Sequence, residues 1–359
     1  MIKYFVITII FYLYFFIING VNAFVPSSRA EQAAVLVNNK IYFYGGISEK
    51  TRLSDFFYLD VSTSFIITSM PWVNITPIMG LPMRTSSTAC TYGEDKNRII
   101  YIGGSKIVGD NFTAIFDITN QQWSTPKTSK NFTTNRLLIQ CIVSNNDIYV
   151  YGGLKNINDM IKLDALNLNW TEFSPGPVAP IGVQGYSATL INNSSILYIG
   201  GQPGGDVQTL PYSSFDKTTS GDIPPSRYDH GAVFIPQYNQ ILILYGFPIS
   251  LSMPIMVLDT VNFEWSIPTI KNAGGPTIGL RRFTSILIGT YIFIAFGSFT
   301  TFNPSQSNNV GSIIGIAFGA IAGIIILSTA AVLIIRKYGY PLSAPKEVSS
   351  DEPNNEVYI

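Results

Sequence analysis

A short apolar strand that ends in two glycines recurs along the chain at nearly regular intervals. It reads YFYGG at 42–46, IYIGG at 100–104, YVYGG at 149–153 and LYIGG at 197–201, with weaker copies LILYG at 242–246 and FIAFG at 293–297. The first glycines are Gly45, Gly103, Gly152, Gly200, Gly246 and Gly297, at intervals of 58, 49, 48, 46 and 51 residues. A period of about 50 residues in a strand-rich chain predicts a repeat architecture in which each unit forms one small sheet.

Each unit is predicted to contain four short strands. An apolar strand such as AAVLV (33–37) meets a tight turn and is followed by the glycine-terminated strand. That second strand is apolar on both faces, as expected for a strand packed between neighbouring sheets. Its glycines permit positive φ and close backbone approach. The complete pairs are Gly45–Gly46, Gly103–Gly104, Gly152–Gly153 and Gly200–Gly201.

Three units carry a second hairpin in which an aspartate precedes a tryptophan by six residues: Asp117 and Trp123, Asp164 and Trp170, Asp259 and Trp265. The aspartate suits the turn, because its side chain accepts hydrogen bonds from nearby backbone. The tryptophan is expected to bury about 200 Å² between sheets. One sheet cannot cover both of its apolar faces, so the sheets should stack, and a closed ring removes the exposed ends.

These features resemble the kelch repeat over residues 24–300, with an arginine leading the first strand at Arg29, Arg84, Arg136, Arg227 and Arg282. The resemblance implies an all-β fold, a kelch-like β-propeller, and the number of units predicts six blades. The chain departs from the pattern in places. Asp60 and Asp216 have no tryptophan six residues later, and the glycine pair is incomplete in units five and six.

Long apolar segments at the two ends predict that the repeat domain is exported. Residues 1–23 combine Lys3, an apolar stretch and a small-x-small site ending at Ala23, which predicts a cleaved signal peptide, with an uncleaved anchor as the alternative. Residues 312–335 form an uncharged run of 24 residues that is long enough to cross a bilayer, and Arg336 and Lys337 follow it. The predicted order is signal peptide 1–23, exported propeller 24–309, transmembrane α-helix 310–335 and a cytoplasmic tail 336–359 expected to be disordered.

Sequons agree with this topology, because all of them fall in the predicted exported domain. They lie at Asn74, Asn111, Asn131, Asn169, Asn192 and Asn193, and the last two overlap, so at most one of that pair is expected to carry a glycan. The prediction is a single-pass type I glycoprotein of the plasma membrane or secretory pathway.

The two cysteines, Cys90 and Cys141, occupy similar places in the first strands of units two and three. Packed sheets lie about 10 Å apart, whereas a disulfide needs Cα atoms within about 7 Å. Two buried thiols are therefore expected in preference to a bridge.

The sequence gives little support for a catalytic function. Galactose oxidase, the best-known kelch-type enzyme family, uses two histidines in its copper site, and this chain has only His230, for which a structural role is expected. Zero net charge and 12% charged residues argue against nucleic acid. No catalytic residue, cofactor or metal is predicted. The alternative is an extracellular carbohydrate-active enzyme with carboxylates drawn from different blades.

The predicted function is binding of a protein or glycan outside the cell by a membrane-anchored propeller, and a structural or sorting role in the secretory pathway is a third possibility. Gly311, Gly315, Gly319 and Gly323 form one stripe on the membrane helix. This stripe favours helix–helix contact and a homodimer, although glycine is also simply frequent in such helices.

The sequons also suggest where a partner would bind. Residues 195–309 and 24–73 contain none, and in a closed ring these two stretches become neighbours. The hypothesis is that the partner approaches units five, six and the start of unit one. A chance distribution of sequons is the competing explanation.

Overall fold

The computed structural model describes residues 24–65, 69–105, 111–128, 136–153, 159–173, 183–192, 195–203, 219–248, 253–270, 279–299 and 356–357. The segments predicted as signal peptide and membrane helix lie outside these residues, as does the tail apart from 356–357. Within the described ranges, no helix has the length and apolarity needed to span a membrane. They form β-strands and two single-turn 3-10 helices, Glu94–Lys96 and Pro236–Tyr238.

The strands follow the repeat. Unit one contains β1 (Ala33–Val37), β2 (Lys40–Tyr44), β3 (Ile47–Ser48), β4 (Thr51–Arg52), β5 (Phe56–Asp60) and β6 (Trp72–Asn74); unit two contains β7 (Thr88–Tyr92), β8 (Arg98–Ile102), β9 (Thr113–Asp117) and β10 (Gln122–Ser124); unit three contains β11 (Cys141–Ser144), β12 (Asp147–Tyr151), β13 (Met160–Asp164) and β14 (Asn169–Phe173). Unit four contains β15 (Val183–Gln184), β16 (Ser187–Ile191), β17 (Ser195–Ile199) and β18 (Gln202–Pro203); unit five contains β19 (Ser220–Gly221), β20 (Gly231–Ile235), β21 (Gln240–Leu244), β22 (Ile255–Asp259), β23 (Glu264–Ser266) and β24 (Thr269–Ile270); unit six contains β25 (Leu280–Arg281), β26 (Thr284–Ile288), β27 (Tyr291–Ala295) and β28 (Ser298–Phe299). The last strand is β29 (Glu356–Val357).

Four units form complete antiparallel blades. The strand orders are β1-β2-β5-β6, β7-β8-β9-β10, β11-β12-β13-β14 and β20-β21-β22-β23, the last extended by β19 parallel to β23. Units four and six contribute the inner hairpins β16–β17 and β26–β27, with the short pairs β15–β18 and β25–β28 beside them. The described residues therefore contain four blades and not the six predicted, because residues 204–218 and 300–355, which follow the inner hairpins, lie outside the description.

The six units nevertheless form a closed ring. The first strands β1, β7, β11, β16, β20 and β26 contact one another in that order, and β26 contacts β1. In every unit a glycine after the second strand donates its N–H to a carbonyl of the next unit. The pairs are Gly46 with Arg84, Gly104 with Arg136, Gly153 with Val183, Gly201 with Arg227, Gly246 with Leu280 and Gly297 with Arg29.

This ring corrects the predicted glycine register of units five and six. Gly246 and Gly297 occupy the second-glycine position, and Tyr245 (φ 51°) and Phe296 (φ 63°) take the first. At Gly45 a Cβ would lie 2.2 Å from the Arg84 carbonyl oxygen, so unit one requires glycine there. The second position is glycine in all six units because a Cβ there would lie only 2.3–2.8 Å from the segment that precedes the first strand of its own unit.

The ring also corrects the predicted arginine set. The guanidinium groups of Arg29, Arg84, Arg136 and Arg227 are buried and donate to the carbonyl that ends the second strand of their own unit, at 2.7–3.1 Å. In unit six the corresponding residue is Leu280, whose carbonyl accepts from Gly246. Arg282 therefore lies two residues beyond the repeat position.

Tryptophans fill the space between units. Trp170 of unit three lies in one buried cluster with Ile100 and Phe112 of unit two. The six-residue spacing does not predict a role for Trp72 in the repeat, because Trp72 follows Asp60 by 12 residues. It pairs with Leu59 in the register in which Trp170 pairs with Leu163, so it occupies the equivalent place.

The two cysteines form a disulfide, so the prediction of two thiols is wrong. The Cα atoms of Cys90 and Cys141 are 6.1 Å apart. The prediction used the mean spacing of packed sheets, but β7 and β11 are innermost strands, and adjacent units converge toward the axis. The bridge covalently joins units two and three.

Candidate functional site on the loop face

The two faces of the ring differ in their connections. Because β1 and β2 are antiparallel, the start of each first strand and the end of each second strand lie on the same side. We call this side the loop face, since the longer connections lie there. The opposite side, the turn face, carries the connections between strands one and two and between strands three and four, which are short turns except between β5 and β6.

Six residues that precede the first strands form a second closed ring of backbone hydrogen bonds, here called the axial ring. Each N–H donates to the carbonyl of the preceding member: Ser86 to Glu31 at 2.8 Å, Leu138 to Ser86 at 2.9 Å, Gly185 to Leu138 at 2.9 Å, Asp229 to Gly185 at 2.8 Å, Arg282 to Asp229 at 3.0 Å and Glu31 to Arg282 at 3.2 Å. All six have positive φ, between 51° and 68°. The backbone of these six residues makes the same hydrogen bonds in every unit, but their side chains differ. The axial ring therefore does not determine which side chains these positions carry.

A charged cluster crosses from unit five to unit one at this ring. The Arg282 Nε donates to Asp229 Oδ2 at 2.7 Å, and its Nη1 donates to Glu31 Oε1. Ser86 completes the cluster by donating its hydroxyl to Glu31 Oε2. The side chains of Glu31 and Arg282 are 13% and 27% exposed, whereas that of Asp229 is fully buried. Burial raises the pKa of Asp229, and the Arg282 charge opposes this rise without cancelling it.

A serine–histidine contact lies beneath the axial ring. His230 Nε2 is 2.9 Å from Ser187 Oγ, and both residues are buried. Burial, and secondarily the Arg227 charge, lowers the pKa of His230 to about 3. The imidazole is therefore neutral at physiological pH, and the buried pair has the properties of a packing contact. Sequence reasoning had no signal for Ser187, which lies 43 residues away in another unit.

An aromatic and arginine stack adjoins the charged cluster on the same face. The rings of Tyr228 and Phe247 are 5.4 Å apart, and the Arg281 Cζ lies 5.4 Å from the Phe247 ring centre. Tyr228 bridges to Phe247, and Arg281 pairs with Ser298, so backbone hydrogen bonding fixes both sides of the stack. Arg281 and Phe247 are half-buried.

The aspartates selected from the sequence lie in turns of the turn face. Asp164 Oδ1 accepts from the Leu166 N–H, and Asp259 Oδ1 accepts from the Val261 N–H. Asp117 accepts likewise from Asn120 at 2.9 Å. These carboxylates shape hairpins and lie away from the charged cluster.

Four of the selected sequon asparagines are described, and all are exposed: Asn74, Asn111, Asn169 and Asn192. Asn131, Asn193 and the glycine stripe Gly311, Gly315, Gly319 and Gly323 lie outside the described residues. Within the described ranges, no group of three or more histidine, cysteine, aspartate or glutamate side chains could hold a metal ion.

Comparison with known proteins finds a matching repeat family and several similar proteins. The Kelch-repeats domain of the KLHDC2/KLHL20/DRC7 type matches residues 18–201. Acyl-CoA-binding domain-containing protein 5 of Arabidopsis thaliana is 25% identical over 311 residues, which cover 79% of this chain and 46% of that protein. Kelch domain-containing protein 2 of Bos taurus is 24% identical over 204 residues, 49% of each chain. The chain thus spans about half the length of the curated relatives it matches.

Proposed function

Because this chain belongs to the kelch-repeat family, we propose that it is a protein-interaction module whose propeller is exported and anchored in a membrane by one helix. The loop face would receive the partner. The observation that carries this assignment is the charged cluster at the axial ring. Glu31 and Arg282 are partly exposed there, in an arrangement that the repeat itself does not require.

The rigid surroundings of the cluster suit recognition. Its backbone is fixed by the axial ring, and its side chains already bond one another, so little conformational entropy is lost on binding. Charged groups in a defined arrangement select a partner with complementary charges. We therefore assign binding, and not catalysis, to this face.

We propose six blades. Two closed rings of six backbone hydrogen bonds support this number, since every unit, including four and six, contributes one donor and one acceptor to each ring. The outer strands of units four and six would then be supplied by residues that lie outside the described ranges.

Export is supported by the bond between Cys90 and Cys141. Disulfides persist in oxidising compartments such as the secretory pathway and the cell exterior. The four described sequon asparagines are exposed, as glycosylation requires. Residues 310–335 would then cross the membrane, with Arg336 and Lys337 on the cytoplasmic side.

One contact is incompatible with this topology. β24 and β29 form a two-residue parallel pair, Thr269 with Glu356 and Ile270 with Val357. A bilayer crossed by residues 310–335 would separate these two segments, so the pair and the proposed topology exclude each other.

The topology is tested with the full chain tagged at Ile359. We expect glycosidase to lower its apparent mass and the tag to be protected from protease added to intact cells. A protease-sensitive tag would reverse the orientation, and an unglycosylated chain would contradict export.

Binding is tested by cross-linking on intact cells. Glu31→Gln is the loop-face variant, and the control is Glu264→Gln, at an exposed residue of β23. We expect one protein to be recovered with the wild type and the control but not with Glu31→Gln.

The alternative is a carbohydrate-active enzyme, which would use a carboxylate of raised pKa near the axis. Asp229 has the raised pKa, but its side chain is fully buried and its Oδ2 accepts from Arg282. A general acid must reach the bond that it protonates. This geometry therefore favours the binding function.

A further inference from the structure

We propose that Arg281, stacked on Phe247, which itself contacts Tyr228, is the docking site for an acidic segment of the protein partner. The site lies on the loop face where units five and six meet. This inference rests on the proposed binding function and specifies the chemistry of its partner.

The first argument is the departure of unit six from the repeat. In units one, two, three and five the repeat arginine is buried and bonds the end of the second strand. In unit six Leu280 fills that place and is 2% exposed. The repeat therefore does not account for Arg281, and the equivalent residues of the other units are uncharged: Ala30, Thr85, Leu137, Gln184 and Tyr228.

The second argument is charge pairing. Arg282 forms ion pairs with Glu31 and Asp229, and the Arg281 charge also opposes the rise of the Asp229 pKa from a longer range. Among the described residues, Arg281 forms no ion pair, although it is half-buried. An arginine in this state gains more from an incoming carboxylate than a fully solvated one, because less water screens the contact.

The third argument is the preorganised stack. The Phe247 ring contacts both groups, with the Arg281 Cζ and the Tyr228 ring centre each 5.4 Å from its own centre. Arginine and tyrosine are the residue types that dominate interface energetics, and a stacked guanidinium has already lost much of its rotamer freedom. The site also lies in the sector without sequons, so a glycan would not obstruct it.

The neighbouring surface suits a polypeptide. Pro248, which follows Phe247 in the chain, is an exposed apolar residue. Apolar contacts beside a charged anchor fit a peptide chain better than a free anion. We therefore assign the site to an acidic protein segment.

The test uses the full-length protein in detergent and two fluorescent probes, a hexaglutamate peptide and a hexaglutamine peptide. We expect the wild type to bind the glutamate peptide in a salt-sensitive manner and to discriminate against the glutamine peptide by about tenfold or more, as the loss of a charged hydrogen bond predicts. Arg281→Gln should abolish this discrimination. Arg281→Lys should restore only part of it, because lysine keeps the charge but not the planar stack. The control is Arg98→Gln, at a half-exposed arginine of the turn face that pairs with Asp117, and it should match the wild type.

Equal binding of the two peptides by the wild type, or equal binding by Arg281→Gln and Arg98→Gln, overturns the inference. Tighter binding of glycerophosphoserine, the phosphatidylserine headgroup, or of heparin oligosaccharide than of the glutamate peptide also overturns the assignment to a protein. Unfolding midpoints of all variants identify any that are misfolded, and Phe247→Leu, which keeps the arginine but removes the stack, then replaces Arg281→Gln. Suppose that binding of the glutamate peptide depends on Arg281, but that Glu31→Gln does not change the cross-linked protein that is recovered. The proposed function is then rejected, and the preference of the Arg281 site for acidic peptides is retained. The converse result rejects only this inference.

Discussion

His230 is a titratable residue that the fold uses in its neutral form. Its ring packs against Gly200, where a Cβ would lie 2.9 Å from the imidazole Cε1, and its Nε2 contacts Ser187. Burial lowers the pKa to about 3, compared with the ordinary value of 6.5. Below pH 6.5 the unfolded chain binds a proton that the folded chain does not bind.

This difference predicts a pH dependence of stability. The contribution of His230 to the unfolding free energy is complete above pH 6.5 and is lost as the pH falls toward 3. At pH 4.5 the loss approaches about 3 kcal/mol, at 1.36 kcal/mol for each unit of pH between the two pKa values. His230→Gln should therefore lose less unfolding free energy between pH 7.5 and pH 4.5 than the wild type. Denaturant titrations followed by tryptophan fluorescence measure this, since all four tryptophans lie in the propeller. Parallel pH profiles for the two proteins would contradict the prediction.

Several residues were misassigned from sequence because spacing along the chain does not record position in space. Gly246 and Gly297 match the motif equally well as first or second glycine, and only their hydrogen bonds to the next unit decide. Arg282 matches the repeat arginine by type but lies two residues away. The Cys90–Cys141 bond depends on the convergence of inner strands, which no local pattern reports.

At the scale of strands and turns, the period of the repeat predicted the inner hairpins, because their glycines, tight turns and apolar strands are local features. Outer strands were harder to predict. Trp72 was missed because the connection between β5 and β6 is longer than in units two, three and five. A connection on the surface tolerates insertion at little entropic cost, so the spacing of outer strands varies.

The glycine that ends the second strand gives a test at this scale. Gly45 (φ 64°) has no room for a Cβ, which would lie 2.2 Å from the Arg84 carbonyl oxygen. Gly289 (φ 60°), in the turn between β26 and β27, has no heavy atom within 4 Å of the same position. Gly289→Ala should cost about 1–2 kcal/mol for the left-handed backbone alone. Gly45→Ala should cost at least about 1 kcal/mol more, because it adds overpacking against backbone.

The comparison is made in unfolding free energy under one set of conditions. Since the two glycines share nearly the same φ, the difference isolates the contact with unit two. Equal costs for the two variants would mean that the junction of units one and two is looser than the structure indicates.

At the scale of the whole molecule, the ring closes without a covalent bond where unit six meets unit one. The Gly297 N–H donates to the Arg29 carbonyl at 2.8 Å, and Arg282 bonds Glu31. Phe296 packs edge-on against Phe43, with ring centres 5.4 Å apart. This seam brings together residues that are more than 250 apart in the sequence. Its contacts cannot be derived from the period alone, which gives the number of units but not the partners of the last one.

One buried hydrogen bond tests this closure directly. Gln32 Nε2 donates to Thr284 Oγ1 at 2.7 Å across the seam, and both residues are buried. In a double-mutant cycle of Gln32→Ala and Thr284→Val, we expect a coupling free energy of about 1 kcal/mol, the net value of such a bond. The matched control pairs Gln32→Ala with Thr189→Val, a buried threonine of β16 in unit four, half a ring away, where coupling should stay below about 0.5 kcal/mol. Coupling at the seam no larger than in the control would mean that units six and one do not pack as a closed ring. Coupling at the seam alone would show that units one and six, 252 residues apart at this bond, stabilise each other as neighbours.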